Sequence, residues 1–135
     1  MTAPAKQRLV LVGNGMAGMR TIDEVLARGR ARFDIEVIGA EPHPNYNRIL
    51  LSSVLAGDKE IDDIILHPRE WYAENGIKLT TVDAAVKLDA RAKTVTTAAG
   101  RIALYDKLVL ATGSRPFVPP VAGLTLPGDP VLAFG

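Results

Sequence analysis

The sequence contains no cysteine in its 135 residues. This absence excludes disulfide bonds, thiolate catalysis, cysteine-ligated zinc and cysteine-bound iron–sulfur clusters from these residues. Aromatic residues make up only 5% of the sequence, which argues against a stacking surface for single-stranded nucleic acid. Positive and negative charges nearly balance, since the sequence has 16 Lys and Arg residues and 15 Asp and Glu residues. We therefore do not expect a nucleic-acid partner, which usually requires a basic surface.

Long apolar runs are also missing from the sequence. None approaches the roughly 20 residues that span a bilayer, and Leu9–Val12 is too short for the core of a signal peptide. We therefore expect no membrane partner and a cytoplasmic location. The length of 135 residues and the hydrophobic content of 47% predict one domain with a substantial core.

A βαβ unit is predicted over residues 9–40, after a disordered lead-in of eight residues. Leu9–Val12 is a continuous apolar run that ends at a glycine, which is typical of a buried parallel strand. Apolar residues then recur at helical spacing over Gly15–Arg28, and Phe33–Gly39 has the composition of a second strand. Strand, glycine turn, helix and strand in this order form a βαβ unit of ordinary size.

The remainder of the sequence predicts a different organisation. Residues 41–76 are a proline-rich loop with short helices, in which the pair Ser52-Ser53 caps one helix and Pro68 begins another. Four short alternating segments in residues 77–104 predict an antiparallel meander. Leu108–Ala111 predicts another central parallel strand, and a proline-rich tail occupies residues 114–135. The four meander segments are Ile77–Val82, Ala85–Leu88, Thr94–Thr97 and Arg101–Leu104.

A glycine-rich loop joins the first predicted strand to the first predicted helix. Its pattern G-x-G-x-x-G, in this context, indicates a dinucleotide-binding turn. The first glycine permits the tight turn, the second leaves room for a pyrophosphate, and the third lets the helix approach the sheet. The alternative is a turn that needs glycines only for its shape. The candidate binding residues here are Gly13, Asn14, Gly15, Met16, Ala17 and Gly18.

An acidic residue near the end of the second strand is the usual ligand of the ribose hydroxyls in such a site. Glu41 is the available candidate, although it lies further from the glycine loop than is typical. The alternative is a solvated loop glutamate. Ala40, directly before it, has no side chain that could bind a ribose.

Three segments of the sequence together resemble a known family. They are Gly13–Gly18, Asn45–Ser52 and Tyr105–Pro116, the last of which contains an apolar strand ending in Ala-Thr-Gly. They are similar to the N-terminal region of assimilatory NAD(P)H-dependent nitrite reductase large subunits, which are pyridine-nucleotide-disulfide oxidoreductases. The resemblance implies an α/β fold: a Rossmann-like FAD-binding domain whose parallel sheet carries a small antiparallel meander, incomplete at its C-terminus.

The resemblance also implies site residues beyond the glycine loop. Arg48 would direct its guanidinium to the FAD pyrophosphate, and the backbone at Ala85 would contact the adenine. The Ala-Thr-Gly turn would pass close to the cofactor. Its members are Ala111, Thr112 and Gly113. No catalytic residue and no metal ligand is expected: His43 and His67 lie in separate loops without ligand spacing, and Trp71 and Tyr72 are expected to be packing residues.

The implied function is that of an FAD-binding portion of an NAD(P)H-dependent flavoprotein oxidoreductase. In the family, NAD(P)H, sirohaem and an iron–sulfur cluster bind to other parts of the full-length protein, so these 135 residues alone are expected to be inactive. The remainder of the flavoprotein is the expected partner, and self-association through the incomplete face is a second expectation. The alternatives are a non-catalytic nucleotide-binding or interaction module, a ferredoxin- or rubredoxin-reductase-like fragment, and a small NAD-dependent dehydrogenase.

Overall fold

A computed structural model of the chain describes residues 6–114, 119, 120 and 122. In the described residues seven strands form two sheets, so the predicted α/β fold with a parallel sheet and an antiparallel meander is confirmed. The parallel sheet contains β1 (Gln7–Val12), β2 (Phe33–Ile38), β3 (Lys78–Thr80) and β7 (Lys107–Leu110), in the order β3-β2-β1-β7. The antiparallel sheet contains β4 (Ala85–Asp89), β5 (Thr94–Thr97) and β6 (Ile102–Leu104). The helices are α1 (Met16–Gly29), α2 (Leu51–Leu55) and α3 (Arg69–Glu74).

The central strand β1 is buried on both faces of the parallel sheet over Leu9–Val12, which explains why this part of its sequence is continuously apolar. Alternate side chains of a strand point to opposite faces of the sheet. Leu9 and Leu11 contribute to a core with α1 and α3, whereas Val10 and Val12 contribute to a second core with the antiparallel sheet. All four are less than a tenth exposed. The molecule therefore has three layers, with the glycine loop at the carboxyl end of the central strand β1.

The predicted four-segment meander is wrong in its first segment. Lys78–Thr80 pairs in parallel with β2 and not with the meander. The loop and α3 between β2 and β3 provide a crossover, which is the connection that parallel strands require. Tyr72 of α3 and Ile77 are both buried in the helix-side core and hold this connection against the sheet.

Several predicted boundaries also need correction. Gln7 and Arg8 belong to β1 and not to a disordered lead-in, because they pair with Phe33 and Asp34 of β2. Ser52 and Ser53 do not cap α2 but lie inside it. Asn47 instead caps the 3₁₀ turn Arg48–Leu50 directly before α2, where its Oδ1 accepts a hydrogen bond from the Ile49 N–H at 3.0 Å.

Strand β7 is not central within the part of the sheet that the structure describes. It pairs in parallel with β1 and stands at the edge of the sheet, where Leu110 is 59% exposed. The predicted proline-rich tail lies mostly outside the described residues. Among the helices described, none has the length and apolar character needed to cross a membrane.

Candidate functional site

One side of the glycine loop is packed against the end of β7. Gly13 has a φ of +107°, and a Cβ at this position would overlap the carbonyl oxygen of Ala111 and lie 2.7 Å from its carbonyl carbon. A Cβ on Gly18 would lie 3.1 Å from the Cβ of Ala111 and 3.1 Å from Cδ1 of Leu11. Three segments therefore meet at one point: the turn after β1, the first turn of α1 and the Ala-Thr-Gly segment. Only glycine fits at position 13.

The other side of the loop is open. Gly15 has extended backbone angles, with φ −86° and ψ −177°, and a Cβ built on it would meet no atom of the described residues within 4 Å. Gly15 is the N-cap of α1, yet no side chain caps this helix and its first turn contains no acidic residue. The first N–H groups of a helix have no intrahelical partner, and they carry partial positive charge. Space for a ligand and attraction for an anion therefore coincide at Gly15.

Asn14 connects the glycine loop to the segment that follows β2. Its Oδ1 accepts a hydrogen bond from the Tyr72 hydroxyl at 2.7 Å, and its Nδ2 donates to the His43 carbonyl at 3.4 Å. Its backbone carbonyl accepts a bond from Asn45 Nδ2 at 3.1 Å. Sequence reasoning missed Asn45 and treated Tyr72 only as a packing residue. Burial raises the pKa of Tyr72, and its two polar contacts are those that a buried tyrosine hydroxyl requires.

Glu41 and Arg48, predicted from sequence as separate ligands, contact each other directly. The Arg48 guanidinium donates to Glu41 Oε1, and the Tyr46 hydroxyl donates to Glu41 Oε2 at 2.6 Å. Arg48 also lies over the Tyr46 ring, with its Cζ 5.3 Å from the ring centroid. Burial and the bond to Glu41 raise the pKa of Tyr46 to about 12. The Arg48 and Glu41 side chains are 54% and 45% exposed, so solvent screens the ion pair and a ligand can compete for both groups.

The start of the antiparallel sheet reaches the same edge of the molecule as Glu41. Gly39 donates to the Thr80 carbonyl at 2.8 Å, and the Val82 N–H donates to the Glu41 carbonyl at 3.2 Å. Ala85 follows at the beginning of β4, opposite Thr97 of β5. The structure therefore brings the backbone leading to Ala85 beside the Glu41 segment.

Beyond β7, Thr112 and Gly113 are exposed, and Gly113 has a φ of +74°, with no atom of the part of the chain that the structure describes within 4 Å of a Cβ built on it. They continue from Ala111, whose backbone contacts Gly13. In the described part of the chain, no three histidine or acidic side chains are grouped closely enough to hold a metal ion. Of the two histidines, His67 is engaged through both ring nitrogens, with Asn45 and with Asp23.

Comparisons with known proteins agree with this architecture. Nitrite reductase [NAD(P)H] of Bacillus subtilis is 55% identical over 129 residues, which cover 96% of this chain and 16% of that protein. The assimilatory nitrate reductase electron transfer subunit of the same organism is 52% identical over 118 residues, 87% of this chain and 15% of that protein. Putidaredoxin reductase, in its covalent complex with putidaredoxin, superposes with a TM-score of 0.77 at 32% identity, covering 88% of this chain and 28% of that one.

The family assignment rests on nearly the whole sequence. The profile of the family described as pyridine nucleotide-disulphide oxidoreductase matches residues 7–132, a range that includes both the glycine loop and the Ala-Thr-Gly segment. The chain spans about a sixth of the length of the two curated relatives. Fold, motif order and sequence agree, and the chain belongs to the pyridine nucleotide-disulphide oxidoreductase family.

Proposed function

We propose that this chain binds FAD through the ADP part of the cofactor, as a portion of an NAD(P)H-dependent oxidoreductase. The observation that carries the proposal is Gly15, which faces open space at the uncapped N-terminus of α1. A pyrophosphate there would receive hydrogen bonds from the loop and helix N–H groups, among them those of Met16 and Ala17. Asn14 would hold this loop in place, since both polar atoms of its side chain and its backbone carbonyl have protein partners.

Glu41 and Arg48 are the proposed polar ligands next to the pyrophosphate. The Glu41 carboxylate would accept hydrogen bonds from ribose hydroxyls, and the Arg48 guanidinium would donate to the phosphates. In the absence of a ligand each neutralises the other, and Tyr46 keeps Glu41 in position. Ligand binding therefore exchanges one exposed ion pair for two contacts to the cofactor, at little cost in stability.

Backbone groups complete the proposed site. The segment leading to Ala85 would contact the adenine, and the turn of Ala111, Thr112 and Gly113 would lie along the pyrophosphate because it crosses the loop at Gly13. When bound, FAD would supply two-electron chemistry between a reduced nicotinamide and an acceptor. We assign no catalytic residue to this chain.

Nitrite is the acceptor that we propose for the complete protein, with electrons from NAD(P)H. The support is the 55% identity to a nitrite reductase, against 32% to putidaredoxin reductase. The second candidate, a reductase for a small redox protein, is favoured by the superposition on putidaredoxin reductase. Protein purified from its natural source should consume NAD(P)H with nitrite. Consumption that depends on a rubredoxin or ferredoxin instead would favour the second candidate.

Titration calorimetry of the 135-residue chain with FAD, ADP and NAD⁺ tests the binding proposal. We expect FAD and ADP to bind to one site in competition with each other, and Gly15→Val to abolish both. Equal affinities of wild type and variant for ADP would show that the glycine loop has only a structural role. Tighter binding of NAD⁺ than of FAD would favour a nicotinamide site and contradict the proposal.

A further inference from the structure

We propose that Asn45 and His67 are positioning residues that set the orientation of the phosphate-binding peptide of the glycine loop. The inference rests on the proposed function, because it assigns a binding role to that peptide. Four groups form one chain of hydrogen bonds from α1 to the loop: the Asp23 carboxylate, the His67 ring, the Asn45 amide and the Asn14 carbonyl.

The orientation of the Asn45 amide is fixed by what surrounds it. Asn45 is only 1% exposed, and its Nδ2 donates to the Asn14 carbonyl at 3.1 Å. Its Oδ1 therefore faces His67 Nδ1, at 2.9 Å. A flipped amide would place its oxygen against the Asn14 carbonyl, leaving two acceptors in contact and the buried group without its bond.

His67 holds the Asn45 oxygen in that orientation through Nδ1, and the opposite ring nitrogen, Nε2, is bonded to Asp23. Its Nε2 lies 3.1 and 3.2 Å from the two carboxylate oxygens of Asp23. Both ring nitrogens are thus engaged, one by the Asn45 amide and the other by the Asp23 carboxylate. Trp71 contacts the same ring, with centroids 4.4 Å apart, and restricts its rotation.

The consequence for the site follows from the planarity of the peptide bond. The Asn14 carbonyl and the Gly15 N–H belong to one peptide unit, and in a trans peptide they point in opposite directions. The bond from Asn45 to the Asn14 carbonyl therefore fixes the direction of the Gly15 N–H. Gly15 is the position with open space for a ligand. The buried Asn45 amide, on the other side of the loop, therefore sets the direction of an N–H donor at that position.

The test compares matched variants of the 135-residue chain. Asn45→Asp replaces the Nδ2 donor by an oxygen and should release the Asn14 carbonyl. His67→Phe keeps a ring against Trp71 but removes both ring nitrogens. The control is Asn75→Asp, because Asn75 Nδ2 also donates to a backbone carbonyl, that of Trp71 at 2.8 Å, away from the loop.

Two measurements are made on each variant: the Gly15 amide signal in ¹H–¹⁵N spectra without ligand, and the Kd for ADP. Asn45→Asp should move the Gly15 signal and raise the Kd about tenfold or more, the effect of one buried hydrogen bond. His67→Phe should do the same to a smaller extent, whereas Asn75→Asp should leave both readings at their wild-type values. Asp23→Ala should weaken ADP binding, and Asp23→Asn should recover most of the loss, since the asparagine side chain can still hydrogen-bond to Nε2.

An unmoved Gly15 signal together with a wild-type Kd in folded Asn45→Asp would overturn the inference, even if the melting temperature falls. If Asn45→Asp does not fold, the same two readings on His67→Phe decide the question. Failure of the wild-type chain to bind ADP would refute the proposed function. The Gly15 signal would still decide whether Asn45 and His67 position the loop.

Discussion

The two sides of the glycine loop differ in what a side chain would meet there. At Gly13 it would collide with the backbone of Ala111, whereas at Gly15, two residues further on, it would enter empty space. Gly13 is therefore required for folding, whereas the space beside Gly15 is not needed for folding. Stability and ligand binding therefore depend on different atoms of the same loop and can be separated by mutation.

The largest expected effect is that of Gly13→Ala on stability. The new methyl group would overlap the Ala111 carbonyl, and the φ of +107° is unfavourable for any L-residue. We expect the free energy of unfolding to fall by more than about 3 kcal/mol, measured by urea denaturation. A loss below about 1 kcal/mol would show that β7 can move away from the loop at small cost.

Gly15→Val should have the opposite effect: a small loss of stability and a complete loss of ADP binding. Its extended backbone accepts a β-branched residue and its Cβ meets no atom, so we expect a loss of stability below about 1 kcal/mol. The valine would occupy the space assigned to the pyrophosphate, and calorimetry should detect no ADP binding. A variant as unstable as Gly13→Ala would contradict the division of the loop into two sides.

Arg48→Ala tests the charged groups next to the Gly15 side of the glycine loop. Loss of a charge-assisted hydrogen bond to a phosphate should weaken ADP or FAD binding by roughly 1.5–3 kcal/mol, with little change in stability because the bond to Glu41 is exposed. Arg48→Lys should restore part of the affinity, since lysine lacks the planar fork. Arg91→Ala, an exposed arginine in the β4–β5 turn, is the control. An unchanged Kd for Arg48→Ala would remove this residue from the site.

The smallest expected effect is the pH dependence contributed by Asp83, on the connection into the antiparallel sheet. Hydrogen bonds from the Thr97 side chain and from the Ala99 N–H lower the pKa of Asp83 in the folded protein. Its stabilising contribution is therefore present above the unfolded pKa of about 3.9 and is lost as the pH falls through the lower folded value. Denaturation curves at pH 2–6 should show that Asp83→Asn and Thr97→Val reduce this loss on acidification. An unchanged pH profile in both variants would contradict the assigned hydrogen bonds.

Local patterns in the sequence were sufficient for the first βαβ unit. The apolar run of Leu9–Val12 predicted a strand buried on both faces, and the structure buries all four residues. Helical periodicity placed α1 within one residue at each end, since the prediction was Gly15–Arg28 and the helix is Met16–Gly29. These features depend on neighbours within a few residues, which is why periodicity and glycine positions reveal them. The binding roles of Glu41, Arg48 and Ala85 remain predictions.

The sequence by itself determined the order of β1, α1 and β2 and the place of the glycine loop between the first two. Only the tertiary structure decided that Lys78–Thr80 pairs with β2, that Tyr72 and Asn45 hold Asn14, and that Glu41 and Arg48 pair with each other. The physical reason is that these contacts join residues far apart in the sequence, which local patterns do not specify. A strand's alternation does not specify its partner, and a buried hydroxyl or amide requires a hydrogen bond without specifying which distant residue provides it.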